Sequence, residues 1–95
     1  MQAKIWNNSG WIKITNPGQL KEMCTQILRA CGFNILQITE HYFEPQGYTG
    51  LWLLSESHFA IHTFPEFGSC YFELSSCNLE YYQKFLELTQ DWNNI

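Results

Sequence analysis

Between residues 17 and 31 the apolar positions Leu20, Met23, Cys24, Ile27, Leu28 and Cys31 recur at spacings of three, one, three, one and three. That is the stripe of a helix buried along one side. Asn16 offers an N-cap, Pro17 suits the first helical position, and Gly32 supplies the stop. Before it, residues 3–6 and 11–15 read as two short strands around Asn7-Asn8-Ser9-Gly10, a stretch of hairpin-turn composition.

After the helix the period shortens. Ile35, Leu36 and Ile38 lead into Tyr42-Phe43, a strand within Phe33 to Glu44 that Pro45-Gln46-Gly47 closes as a turn. Tyr48 to Leu54 is a second strand, and its run Leu51-Trp52-Leu53-Leu54 suggests burial on both faces. A third strand follows at His58 to Thr63, a turn at Pro65 to Gly68, and a fourth strand at Cys70 to Ser75. Asn78 caps a closing helix whose apolar side is Tyr81, Phe85, Leu88 and Trp92. This order predicts an α+β domain: a small antiparallel β-sheet with two helices packed on one face, the other face left for a partner.

At 95 residues the chain is a single domain, residues 1–95, with a thin stability margin. Its 45% hydrophobic and 17% aromatic content fills a core and leaves apolar surface over, for which homodimerisation is an ordinary remedy. A net charge of -4, with Lys4, Lys13, Lys21, Arg29 and Lys84 scattered, argues against nucleic acid and anionic membranes. Residues 1–15 lack the apolar stretch of a signal peptide, and no run is long enough to span a bilayer. Cys24, Cys31, Cys70 and Cys77 are therefore expected as reduced thiols in a cytoplasmic protein. His58, His62, Cys70 and Cys77 have no standard finger spacing, so no metal is expected.

The chemistry concentrates in one segment. Glu56-Ser57 is followed by His58, His62, Glu66 and, further on, Cys77. A serine hydroxyl can attack the carbonyl of the residue before it and convert the peptide to an ester. Removal of the serine α-hydrogen then eliminates the ester, splits the chain into 1–56 and 57–95, and leaves a dehydroalanine that hydrolyses to a pyruvoyl group. A pyruvoyl ketone forms a Schiff base with an amine and serves as an electron sink for decarboxylation. His62 is the candidate base. Strict alternation would put it on the strand face opposite Ser57, so this scheme places Ser57 in the turn. Cys77 is the candidate proton donor after loss of CO2. Phe43 could stack on a purine, and Glu66 could accept hydrogen bonds from a ribose. Taken singly, each of these residues also suits a plain structural role.

In order and spacing these residues resemble the prokaryotic S-adenosylmethionine decarboxylase proenzymes. His41-Tyr42-Phe43-Glu44-Pro45-Gln46-Gly47-Tyr48-Thr49-Gly50 resembles the segment before the cleavage site, and Glu56-Ser57-His58 the site itself. Ile61-His62-Thr63-Phe64-Pro65-Glu66 and Phe72-Glu73-Leu74-Ser75-Ser76-Cys77 resemble the two segments that follow, so the likeness covers about residues 33–78. It implies Ser57 as the precursor of a self-generated pyruvoyl cofactor, His62 as the processing residue and Cys77 as the proton donor. It further implies Phe43 near the adenine and Glu66 near the ribose of S-adenosylmethionine, with a product that feeds spermidine synthesis. The resemblance also implies a homodimer, an α/β/β/α sandwich with sites built between protomers. Phe64 stands where the family usually has tryptophan, and Ser75-Ser76-Cys77-Asn78 where Phe-Thr-Cys-Gly is common. The first strand lacks the family's His-Leu and acidic residue, and relatives continue through a further strand beyond the 18 residues that follow Cys77 here. Two alternatives stay open at this point: a pyruvoyl-dependent decarboxylase of ornithine or arginine, and an unprocessed relative that regulates an active enzyme.

Overall fold

The computed structural model describes residues 3–95. Helix α1 spans Pro17–Cys31, with Asn16 Oδ1 accepting the Gln19 N–H at 2.9 Å and Gly32 in the left-handed region at φ 107°. Gly32 has a second constraint, since a Cβ there would lie 2.7 Å from the Tyr81 ring. The buried side of α1 is Leu20, Cys24, Leu28 and Cys31, four of the six stripe positions.

Five strands form one antiparallel sheet: β1 (Trp6–Ile12), β2 (Ile35–Tyr42), β3 (Tyr48–Leu54), β4 (Ser57–Phe64) and β5 (Ser69–Ser76). Their spatial order is β1-β5-β4-β3-β2, so β4 lies at the centre. Helix α2 (Leu79–Leu88) starts at Asn78, whose side chain accepts the Tyr81 N–H. The helix ends earlier than its apolar spacing suggests, and Trp92 returns to the core on a single 3-10 turn, Trp92–Asn94.

The expected hairpin at 3–15 is not there. A single strand runs straight through Asn7-Asn8-Ser9-Gly10, because each of these residues pairs with β5, from Asn7 opposite Ser75 to Gly10 opposite Phe72. The polar run is tolerated because β1 is an edge strand. Gly10 is small because the Phe72 ring lies over it, 3.0 Å from where a Cβ would stand. The predicted burial of β3 on both faces also gives way to alternation: Tyr48, Trp52 and Leu54 are buried, while Leu51 and Leu53 are exposed.

Both helices cover one face of the sheet. Leu20, Cys24 and Leu28 from α1 and Phe85 from α2 meet Trp52, Phe59, Ile61, Phe72 and Leu74 from the strands. Phe59, Phe72, Phe85 and Trp92 form an aromatic cluster, with Phe72 and Trp92 edge to face at 4.8 Å. The Trp52 indole N–H donates to Thr25 Oγ1 at 3.0 Å, so its burial leaves no orphaned donor. Burial pushes the Cys31 and Cys70 thiols up to about 11. Among the described residues no element covers the opposite face, and Trp11, Leu51, Leu53 and Phe64 stand exposed on it. Among the described residues no helix is long and apolar enough to cross a membrane.

Candidate active site

The tightest turn of the sheet contains the Glu-Ser bond. Leu54 pairs with Ser57, so Ser55 and Glu56 alone connect β3 to β4. Glu56 takes φ 60°, a left-handed conformation that costs a non-glycine residue about 1 kcal/mol. Asn34 grips the turn twice: its carbonyl accepts the Ser55 N–H at 3.0 Å, and its Nδ2 donates to Ser55 Oγ at 3.1 Å. Strain is thereby held at the residue whose carbonyl would be attacked. Glu56→Gly in a Ser57→Ala background should raise stability by up to about 1 kcal/mol, read as a thermal midpoint several degrees higher. In the cleavable chain the same change should slow cleavage, and an unchanged midpoint would mean that the turn stores no strain.

Ser57 is not in the turn. It opens β4, only 8% exposed, and shares the helix-covered face with Phe59 and Ile61. Its Oγ donates to Ser76 Oγ at 3.2 Å, across the β4–β5 pairing of the same two residues. Cys77 follows Ser76 directly and is the exposed one of the four free cysteines. Ser57, Ser76 and Cys77 thus gather at one end of the sheet.

His62 lies at the other end. Its Nδ1 is 2.9 Å from Thr49 Oγ1, its partner across β3 and β4, and its ring stacks at 6.3 Å on Tyr71. Engaging Nδ1 fixes the orientation of the ring. Phe43 and Glu66 line the same cleft of about 320 Å³ with His62, Gly47 and Phe64. Glu66 comes from the 3-10 turn Pro65–Phe67, and Phe43 sits edge to face with His41 at 4.4 Å. Tyr48 anchors the cleft wall, its hydroxyl donating to Glu40 Oε1 at 2.5 Å while Lys21 of α1 pairs with the other carboxylate oxygen at 3.1 Å. The hydrogen bonds from Tyr48 and Lys21 hold the Glu40 carboxyl below its ordinary range, and burial, then that same bond, pushes the Tyr48 hydroxyl up.

The candidate residues therefore fall into two groups on opposite faces and at opposite ends of β4. Five residues at the rise of a strand separate Ser57 from His62 by roughly 16 Å. Of the residues singled out from sequence, Glu56, Ser57 and Cys77 are brought together at one end and His62, Phe43 and Glu66 at the other. Cys70 is buried on the helix face, away from His58 and His62 on the open face, so those three do not converge on a common point. Sequence reasoning missed Asn34, Thr49 and Ser76. Their roles depend on partners 21, 13 and 19 residues away, which only strand register supplies.

By its fold the chain is of the adenosylmethionine decarboxylase type. The crystal structure of the adenosylmethionine decarboxylase from Aquifex aeolicus superposes with a TM-score of 0.70, covering 94% of this chain and 77% of that one at 20% sequence identity. The family model for S-adenosylmethionine decarboxylase matches residues 9–91. The S-adenosylmethionine decarboxylase proenzymes of Methanococcus maripaludis and Methanococcus vannielii are 35% and 39% identical over 74 residues, 78% of this chain and 60% of theirs. That of Prochlorococcus marinus is 40% identical over 65 residues, 68% of this chain and 52% of its own. The chain belongs to the S-adenosylmethionine decarboxylase family. It spans a little over half the length of these curated relatives.

Proposed function

We propose that this chain is a proenzyme that cleaves itself between Glu56 and Ser57 and, as a homodimer, decarboxylates S-adenosylmethionine. The observation that carries the reading is the Glu56-Ser57 hairpin, strained at φ 60° and holding a buried, hydrogen-bonded serine hydroxyl beside Cys77. In the first step Ser57 Oγ attacks the Glu56 carbonyl carbon, the bond from that carbon to the Ser57 nitrogen breaks with the hydroxyl proton passing to the nitrogen, and an ester is left. Base removal of the Ser57 α-hydrogen then expels the Glu56 carboxylate, and water releases ammonia to leave a pyruvoyl group at position 57. That group supplies an electron sink for decarboxylation.

His62 is the base, and it comes from a second protomer. One chain keeps it roughly 16 Å from Ser57. A two-fold axis lying in the interface across the strands would set the Ser57 end of one sheet over the His62 end of the other, so the partner's imidazole would approach the Ser57 backbone and its α-hydrogen from the open face, opposite to the Ser57 hydroxyl. Exposed Trp11, Leu51, Leu53 and Phe64 on the open face support such an α/β/β/α sandwich. Phe43 would then stack on the adenine and Glu66 accept from the ribose, in the cleft they share with His62, while Cys77 returns a proton after CO2 leaves. The product is an aminopropyl donor for spermidine synthesis, and the unpaired thiols suit a cytoplasmic setting.

A denaturing intact-mass spectrum of the purified protein tests the reading. Two fragments divided between Glu56 and Ser57, the later one with pyruvoyl in place of serine, are expected. One species of 11.2 kDa would reject self-processing.

A further inference from the structure

Among the described residues the Ser57 hydroxyl has one partner, Ser76, and that partner is unusually constrained. Ser76 is fully buried, and its Oγ donates to the Asn78 carbonyl at 3.1 Å while accepting the Asn78 N–H at 3.0 Å. A hydroxyl has one proton and two lone pairs. With its proton on the Asn78 carbonyl and one lone pair on the Asn78 N–H, Ser76 can meet Ser57 only as an acceptor. The Ser57 hydroxyl must therefore be the donor, as the 3.2 Å contact has it. Its proton points at Ser76, and its own lone pairs are left free for the neighbouring carbonyl.

We infer that Ser76 is the residue that aims the Ser57 hydroxyl for self-cleavage, through a bond locked by the backbone of Asn78. This rests on the self-processing reading above. In the step concerned, a bond forms from Ser57 Oγ to the Glu56 carbonyl carbon and the bond from that carbon to the Ser57 nitrogen breaks. The hydroxyl proton ends on that nitrogen, so atoms and electrons balance without a co-reactant. Ser76 is neutral and takes no net proton; it fixes which way the hydroxyl faces. It also ties the nucleophile to the cap of α2, because Asn78 supplies both the backbone that holds Ser76 and the side chain that accepts the Tyr81 N–H.

The test is the rate of cleavage in a cell-free synthesis reaction, followed as loss of the intact chain on a denaturing gel. Ser76→Ala should cleave about tenfold more slowly, the worth of one buried hydrogen bond. Ser76→Thr keeps the hydroxyl and should restore the rate. Thr25→Ala controls for stability, since it strips the buried Trp52 indole of its hydrogen-bond partner and touches neither Ser57, Ser76 nor Asn78; its rate should stay near wild type. Ser76→Cys, close in size and poor as an acceptor, should be slowed like Ser76→Ala and carries the test if the alanine variant does not fold. Wild-type cleavage by Ser76→Ala or Ser76→Cys would overturn the inference and leave self-processing intact. Failure of Ser76→Thr to recover, or equal slowing in Thr25→Ala, would overturn it likewise. A wild-type chain that never cleaves removes the underlying reading first.

Discussion

A chain carrying Ser57→Ala is expected to stay whole, with no fragment detectable by mass and no decarboxylase activity. The loss should be complete, because the substitution deletes the attacking oxygen and the atom from which a pyruvoyl group would be made. Little else should change. Alanine keeps the pairing of residue 57 with Leu54 and Ser76, and the cost is one buried hydroxyl-hydroxyl bond, about 1 kcal/mol. Thermal unfolding would verify that the variant is folded, and the mass spectrum would report cleavage. A Ser57→Ala chain that still splits after Glu56 would remove Ser57 from the chemistry and with it the proposed origin of the cofactor.

Ser57→Ala and His62→Ala, each inactive alone, should restore activity to one another when produced together. If each site takes Ser57 from one protomer and His62 from the other, a mixed dimer has one site with both residues intact and one with neither. Random pairing makes half the dimers mixed, so activity should recover to about a quarter of wild type. Sites confined within one chain could not recover at all, and coexpression would stay as inactive as either variant. The prediction follows from β4 alone, since no rotamer brings side chains at opposite ends and faces of one strand together. Cleavage measured on the same mixture asks whether His62 acts in processing, in turnover, or in both.

Much of this was legible in the residues. The spacing of Leu20, Cys24, Leu28 and Cys31 between Asn16-Pro17 and Gly32 specifies α1 through local rules of period and capping. Alternation marked β4 and β5 within a residue or two of their observed ends. It also placed Ser57 and His62 on opposite faces, and the structure keeps that alternation rather than moving Ser57 into the turn. The hairpin expected at residues 3–15 failed for the complementary reason. Asn7-Asn8-Ser9-Gly10 has turn composition, but its conformation is decided by pairing with Ser75 to Phe72, more than sixty residues away in sequence.

Local residue order accounts for the short-range features: the helices and their caps, the strand periods, the Glu56-Ser57 bond and the family to which its order of motifs belongs. Strand order and register came from long-range packing, and with them the pairs that hold the candidate site residues. Thr49 reaches His62 because β3 and β4 align them, Ser76 reaches Ser57 because β5 pairs with β4, and Asn34 reaches Ser55 across the sheet's end. Local propensity is a property of neighbouring residues, whereas register is chosen by burying one whole face of the sheet against α1 and α2 at once. That choice also set Ser57 apart from His62, which is why the proposed site takes its two residues from two chains.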